Sequence, residues 1–116
     1  MTTEQHILDS LYQILQERKN ETADKSYVAS LYAKGAEQIA AKIAEEADEL
    51  NIEGIALQAA PDNPELRQNL TAETADLLFH MLVMLSHHNI DPEDVFDVLR
   101  GRMGISGHDE KASRDQ

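Results

Sequence analysis

Apolar residues recur at helical spacing along most of the chain. Ile7, Leu8, Leu11, Ile14 and Leu15 form one stripe within residues 4–19, which predicts an amphipathic first helix. The polar run 20–25 reads as a loop. Ser26 is placed to cap a short helix over 27–34 that turns Val28, Leu31 and Tyr32 inward. Gly35 either ends that helix or bends it into the next. From residue 36 to about 59, Ile39, Ile43, Ala47 and Leu50 mark one face of a long helix, whose later part Gly54 weakens by about 1 kcal/mol relative to Ala. Pro61, Asn63 and Pro64 punctuate a turn, with Asn63 and Pro64 suited to the cap and the first helical position. A second long helix follows over 65–88, with Leu66, Leu70, Leu77, Met81 and Leu85 expected inward. Asn89 tolerates the left-handed backbone that closes a helix. Asp91-Pro92-Glu93-Asp94 then opens a fifth helix, its acids at the positive end of the dipole and Val95, Leu99 and Phe96 expected inward, before Gly101 and Gly104 weaken the pattern. No stretch alternates with period two for long enough to make a strand. The expectation is an all-α bundle of about five helices, two of them long and antiparallel.

The chain has 116 residues, the size of one domain, and residues 1–105 are read as that domain with 106–116 as a polar tail. Aromatics make up only 4%, so the core rests on Leu, Ile, Val, Ala and Met. Two long helices with short companions make a thin core. Leu77, Leu78, Met81, Leu82 and Leu85 form a stripe too wide for one neighbour. A homodimer or higher homo-oligomer that shares helices is expected to bury the excess.

Ten Lys and Arg against 22 Asp and Glu give a formal charge of −12. That balance argues against a protein that grips DNA or RNA by its phosphates, and against docking on an anionic membrane. Residues 77–85, interrupted by His80, fall far short of the roughly 20 residues a spanning helix needs. No Lys or Arg precedes Arg18, so the charged start of a signal peptide is missing. There is no cysteine, which leaves oxygen and imidazole as the ligands for any metal. A cytoplasmic protein is expected.

The charge is unevenly spread. Between residues 43 and 99 stand 13 acids and a single base, Arg67. Glu45, Glu46 and Glu49 gather on one side of a helix, and Glu73 and Asp76 form a second cluster three residues apart. If the two long helices are antiparallel neighbours, four or five carboxylates converge across one groove. A hard divalent cation such as Mg²⁺ resolves the repulsion, sharing its sites between carboxylates and a substrate phosphate. Acids at this spacing also occur on solvated helix faces, although Glu73-Thr-Ala-Asp76 runs directly into Leu77-Leu78-Phe79, more apolar than such a face. A di-iron bundle needs Glu-x-x-His pairs on two helices, and neither Glu73 nor Asp76 stands three before a histidine. His80, His87 and His88 read as packing or surface residues. Neither a phosphate-binding glycine loop nor a zinc-protease or serine-hydrolase motif is present.

Glu45-Glu46-x-x-Glu49 followed by Glu73-x-x-Asp76 resembles the metal motif of the MazG-like all-α nucleotide pyrophosphohydrolases. Three flanking segments narrow the likeness: Ser26-Tyr-Val-Ala-Ser-Leu-Tyr-Ala-Lys34-Gly35, Glu73-Thr-Ala-Asp76-Leu-Leu-Phe-His80 and Ser106-Gly-His-Asp-Glu-Lys-Ala-Ser-Arg114. With them the chain is similar, over nearly its whole length, to the phosphoribosyl-ATP pyrophosphatase family.

The resemblance implies Mg²⁺-dependent hydrolysis of 1-(5-phosphoribosyl)-ATP to 1-(5-phosphoribosyl)-AMP and pyrophosphate, the second step of histidine biosynthesis. It implies Glu46, Glu49, Glu73 and Asp76 as metal ligands, with Glu45 holding a further metal or positioning the attacking water. A polyanionic substrate also needs bases. Lys34 and Lys42 are the nearest candidates, although Lys42 can instead pair with Glu45 or Glu46 on its own helix. Arg102, His108, Lys111 and Arg114 place further such groups in and before the tail, whose likeness to the family tail implies a role in closing over the substrate. Where many bacteria fuse this enzyme to the next one in the pathway, the cyclohydrolase is expected here as a separate chain. Two rival readings stand beside this one: a pyrophosphohydrolase that clears ordinary or damaged nucleoside triphosphates, and an acidic helical interaction module without catalysis.

Overall fold

Side chains cap the starts of four of the five described α-helices, and backbone conformation closes their ends. The computed structural model describes residues 6–103, so the expected tail with His108, Lys111 and Arg114 lies outside the described residues. Helix α1 (Ile7–Glu17) starts on His6, whose Nδ1 accepts from the Leu8 N–H at 3.1 Å, and it tightens into a 3₁₀ turn over Arg18–Asn20. Helix α2 (Tyr27–Lys34) is capped by Ser26, whose Oγ accepts from the Ala29 N–H at 3.2 Å. Gly35 ends α2 outright. Its φ of 89° and ψ of −175° lie where a side chain is strained, and this one residue separates α2 from α3 (Ala36–Ala59).

Asn63 caps α4 (Pro64–His87) by accepting from both Glu65 and Leu66 N–H groups, with Pro64 at the first helical position. Asn89 takes φ 59° after α4. The Ile90 N–H bonds to the Leu85 carbonyl at 2.9 Å and the Asn89 N–H to that of Ser86 at 3.0 Å, the paired closure of a left-handed helix end. Lys19 Nζ donates to Asn89 Oδ1 at 2.7 Å and ties that end to the chain after α1. Asp91 caps α5 (Pro92–Arg102) through a 2.8 Å bond from the Glu93 N–H. No helix among the described residues is long and apolar enough to cross a membrane.

Helices α3 and α4 are the long pair and pack against each other, joined by a short turn. They run antiparallel: Asn69 meets Glu53 near the turn, and His80 meets Glu46 farther from it. The core gathers at the far end of this hairpin. Leu15 of α1, Val28 and Leu31 of α2, Ile39 of α3, and Leu82 and Val83 of α4 are buried together, with Leu8, Leu11, Tyr32, Ile43, Phe79 and Leu85 packed around them. A polar knot crosses it. Fully buried Ser86 Oγ accepts from Gln16 Nε2 at 3.0 Å and lies 2.7 Å from the Tyr32 hydroxyl, joining α1, α2 and α4.

Two expected faces are corrected. On α4, Met81 is 44% exposed, while His80, Leu82, Val83 and Ser86 are buried. Residues 77–85 are apolar almost all round, so their period selects no face and the approach of α1 and α2 decides. On α5, Phe96 is half-buried against the His6 ring, but Val95 and Leu99 are exposed, because α5 meets the rest of the chain mainly along α1. The part of the hairpin nearest its turn leaves Ile52 and Ile55 exposed as well.

Candidate functional site

Helix α3 presents Glu46 and Glu49 one turn apart, and α4 brings Glu73 against them across the hairpin. One carboxylate oxygen from each of the three lies within 4.8 Å of the others. Glu46 is only 7% exposed. Glu46 Oε2 and Glu73 Oε2 are both buried without a hydrogen-bond partner. Three acids held this closely cannot all stay ionised without cost. The Glu73 carboxyl is accordingly pushed up to about 7, first by hydrogen bonding with Glu49, then by burial and by the charges of Glu49 and Glu46.

His80 closes the inner end of this group. It is 6% exposed, and its Nδ1 lies 2.9 Å from the Asp76 carbonyl and 4.0 Å from Glu46 Oε1. A carbonyl only accepts, so Nδ1 carries a hydrogen and donates to it. In the neutral ring Nε2 is then an acceptor, and the Tyr27 hydroxyl donates to it at 2.9 Å.

The other expected residues fall at varying distances from the group. Asp76 follows Glu73 by one turn with its side chain exposed, outside the three-carboxylate set. Glu45 is exposed beside Glu46, and Lys42 Nζ pairs with its Oε2 at 3.1 Å, which raises the lysine pKa. Lys34 is exposed in the last turn of α2, and Arg102 is exposed at the end of α5. Sequence reasoning assigns His80 to packing or surface and gives Tyr27 no role. The signal for His80 is its place one turn after Asp76 on the face that carries Glu73. Tyr27 offers none, because its partner lies 53 residues away.

A cavity of about 540 Å³ opens elsewhere, between α1 and the start of α5, lined by Asp9, Tyr12, Gln13, Gln16, Glu17, Asp91 and Glu93. Its lining shares no residue with the carboxylate group and carries no base, which is unfavourable for a phosphate-rich ligand.

Residues 8–103 match the model of the phosphoribosyl-ATP pyrophosphohydrolase family. The chain is 43% identical to a phosphoribosyl-ATP pyrophosphatase of Geobacter sulfurreducens over 116 residues, all of both chains. It is 44% identical to that of Geobacter metallireducens over 98% of this chain and 97% of the relative. It is 43% identical to that of Hydrogenovibrio crunogenus over 95% and 94%. The family match spans all three carboxylates, His80 and Tyr27.

Proposed function

The chain belongs to the phosphoribosyl-ATP pyrophosphohydrolase family and carries out its reaction, and we propose that it does so with Mg²⁺ held between α3 and α4. The reaction hydrolyses 1-(5-phosphoribosyl)-ATP to 1-(5-phosphoribosyl)-AMP and pyrophosphate in histidine biosynthesis. One observation carries the metal reading: Glu46, Glu49 and Glu73 bring oxygens within 4.8 Å of one another, and two of their buried oxygens have no partner. An all-oxygen donor set of this kind suits a hard cation. Glu46, Glu49 and Glu73 would hold it, with Asp76 joining from the next turn of α4. When bound, the cation supplies charge neutralisation for the triphosphate and for the leaving pyrophosphate.

The remaining work falls to the chain. Glu45, at the exposed rim of the group, positions the water that attacks the α-phosphorus or accepts its proton. Lys42 stands beside it and, by exchanging its Glu45 partner for phosphate oxygens, offsets substrate charge. Lys34 and Arg102 add bases from α2 and α5, and His108, Lys111 and Arg114 of the tail close over the phosphates or the phosphoribose. The domain is residues 1–105, it functions in the cytoplasm as a homodimer or higher homo-oligomer, and a separate cyclohydrolase takes its product.

The test is pyrophosphate release from phosphoribosyl-ATP, with and without Mg²⁺, beside Glu49→Gln and an ATP control. The expected result is release that needs Mg²⁺, is lost in Glu49→Gln and is absent with ATP. Full activity of Glu49→Gln, or of the wild type in EDTA, would overturn the metal reading. A chain ending at residue 105 should keep its helicity while its KM rises strongly; an unchanged KM would remove the tail from the site.

A further inference from the structure

The acidic group is backed by a contact that belongs neither to the core nor to the set of candidate ligands. Tyr27 opens α2 and is 52% exposed, yet its hydroxyl reaches inward to His80 Nε2 at 2.9 Å. The imidazole is held on its other side by the Asp76 carbonyl, and the Phe79 and Tyr27 rings meet it edge-on at 5.2 and 6.0 Å between centroids. So fixed, the ring sets its Nδ1 edge 4.0 Å from Glu46 Oε1, beyond hydrogen-bond reach but close enough to limit where the carboxylate can swing. A buried carboxylate with one oxygen lacking a partner has few other groups to set its angle. For a metal-holding group, loss of the neighbours that orient it typically costs about 10–100-fold in metal affinity.

We propose that Tyr27 and His80 are positioning residues: the Tyr27 hydroxyl locks the imidazole, and the imidazole, bonded to the Asp76 carbonyl, holds the α4 turn that carries Glu73 and Asp76 and walls in the Glu46 carboxylate by contact. The proposal rests on the cation reading above. It assigns the first residue of α2 to the site through its hydroxyl, and makes the α2–α4 junction part of the catalytic apparatus. Because the Tyr27 ring is half in solvent, removing one oxygen there leaves the core untouched.

The experiment measures Mn²⁺ binding to the metal-free protein by electron paramagnetic resonance, alongside kcat and KM for phosphoribosyl-ATP. The variants are Tyr27→Phe, His80→Ala, His80→Asn and Glu49→Gln. Tyr27→Phe should melt close to wild type, bind Mn²⁺ about tenfold more weakly and lose kcat at saturating Mg²⁺ with KM little changed. His80→Ala should lose more, and His80→Asn, which restores a donor near Nδ1, should recover part of the loss. Wild-type Mn²⁺ affinity and kcat in Tyr27→Phe, with Glu49→Gln impaired, would overturn the positioning role and leave the cation site standing. A rise in KM alone would overturn it too, by making Tyr27 a substrate contact. Equal Mn²⁺ binding by Glu49→Gln and wild type would overturn the cation reading and this proposal with it.

Discussion

At the scale of single residues, Glu73 shows how crowded carboxylates share their charge. With its carboxyl raised from 4.5 to about 7 by Glu49, by burial and by Glu46, the folded chain keeps a proton that the unfolded chain has released across that interval. Stability from this group is therefore present below about 4.5, declines as pH rises towards 7, and is lost above it. In EDTA at pH 8, Glu73→Gln should melt above wild type, because it removes one of three crowded charges. At pH 5 that gap should shrink. Saturating Mg²⁺ at pH 8 should reverse the order, since binding stabilises only the chain whose carboxylates are intact. Melting curves followed by circular dichroism decide it, and a gap of equal size at both pH values would remove the cause given for the shift. The same residues mark where sequence reading stops. Spacing along one helix brings Glu46 and Glu49 together and gives Lys42 its partner Glu45, because those relations are local. The meeting with Glu73 requires only the hairpin. The Tyr27–His80 contact depends on how α2 settles against α4, which no spacing encodes.

At the scale of elements, helix ends were legible, as were the inward faces of α1, α2 and the first half of α3, while those of α4 and α5 were legible only in part. Ser26, Asn63 and Asp91 cap through bonds to N–H groups two or three residues on, so sequence alone contains the interaction. The inward face of α4 escapes the pattern because Leu77, Leu78, Met81, Leu82, Val83 and Leu85 leave hardly any polar side to exclude. Two glycines separate local demand from tertiary permission. At Gly35 a Cβ would meet nothing within 4 Å, so the whole penalty of Gly35→Ala is backbone strain at φ 89°, about 1–3 kcal/mol of lost stability. Gly54 lies inside α3, where the methyl of an alanine would stand 3.9 Å from Leu70 Cδ1, an ordinary contact. Gly54→Ala should therefore stabilise by up to about 1 kcal/mol. Urea unfolding of the two variants should move in opposite directions; a neutral Gly35→Ala would mean the α2–α3 junction relaxes to another backbone path.

At the scale of the whole molecule, the buried core occupies one end of the hairpin while apolar side chains remain in water elsewhere. Leu78 and Met81 lie exposed on α4, Ile52 and Ile55 on the half of α3 nearest the turn, and Val98 and Leu99 on α5. Each fully buried side chain of this kind is worth about 1.5–3 kcal/mol relative to exposure, so a second copy covering several of them has a sufficient drive. The opposing force is charge: each copy carries −12, and two copies repel. Salt screens that repulsion without weakening apolar burial, so association should tighten as NaCl rises, the reverse of a contact made by ion pairs. Sedimentation at micromolar concentration should give a dimer or larger species, and its melting temperature should rise with protein concentration. Met81→Glu and Ile55→Glu each place a carboxylate on an exposed apolar surface that the isolated fold does not use. Whichever surface forms the interface, its variant should sediment as a monomer while keeping wild-type helicity. A wild-type chain that is monomeric at micromolar concentration in high salt would show that these side chains are tolerated in water.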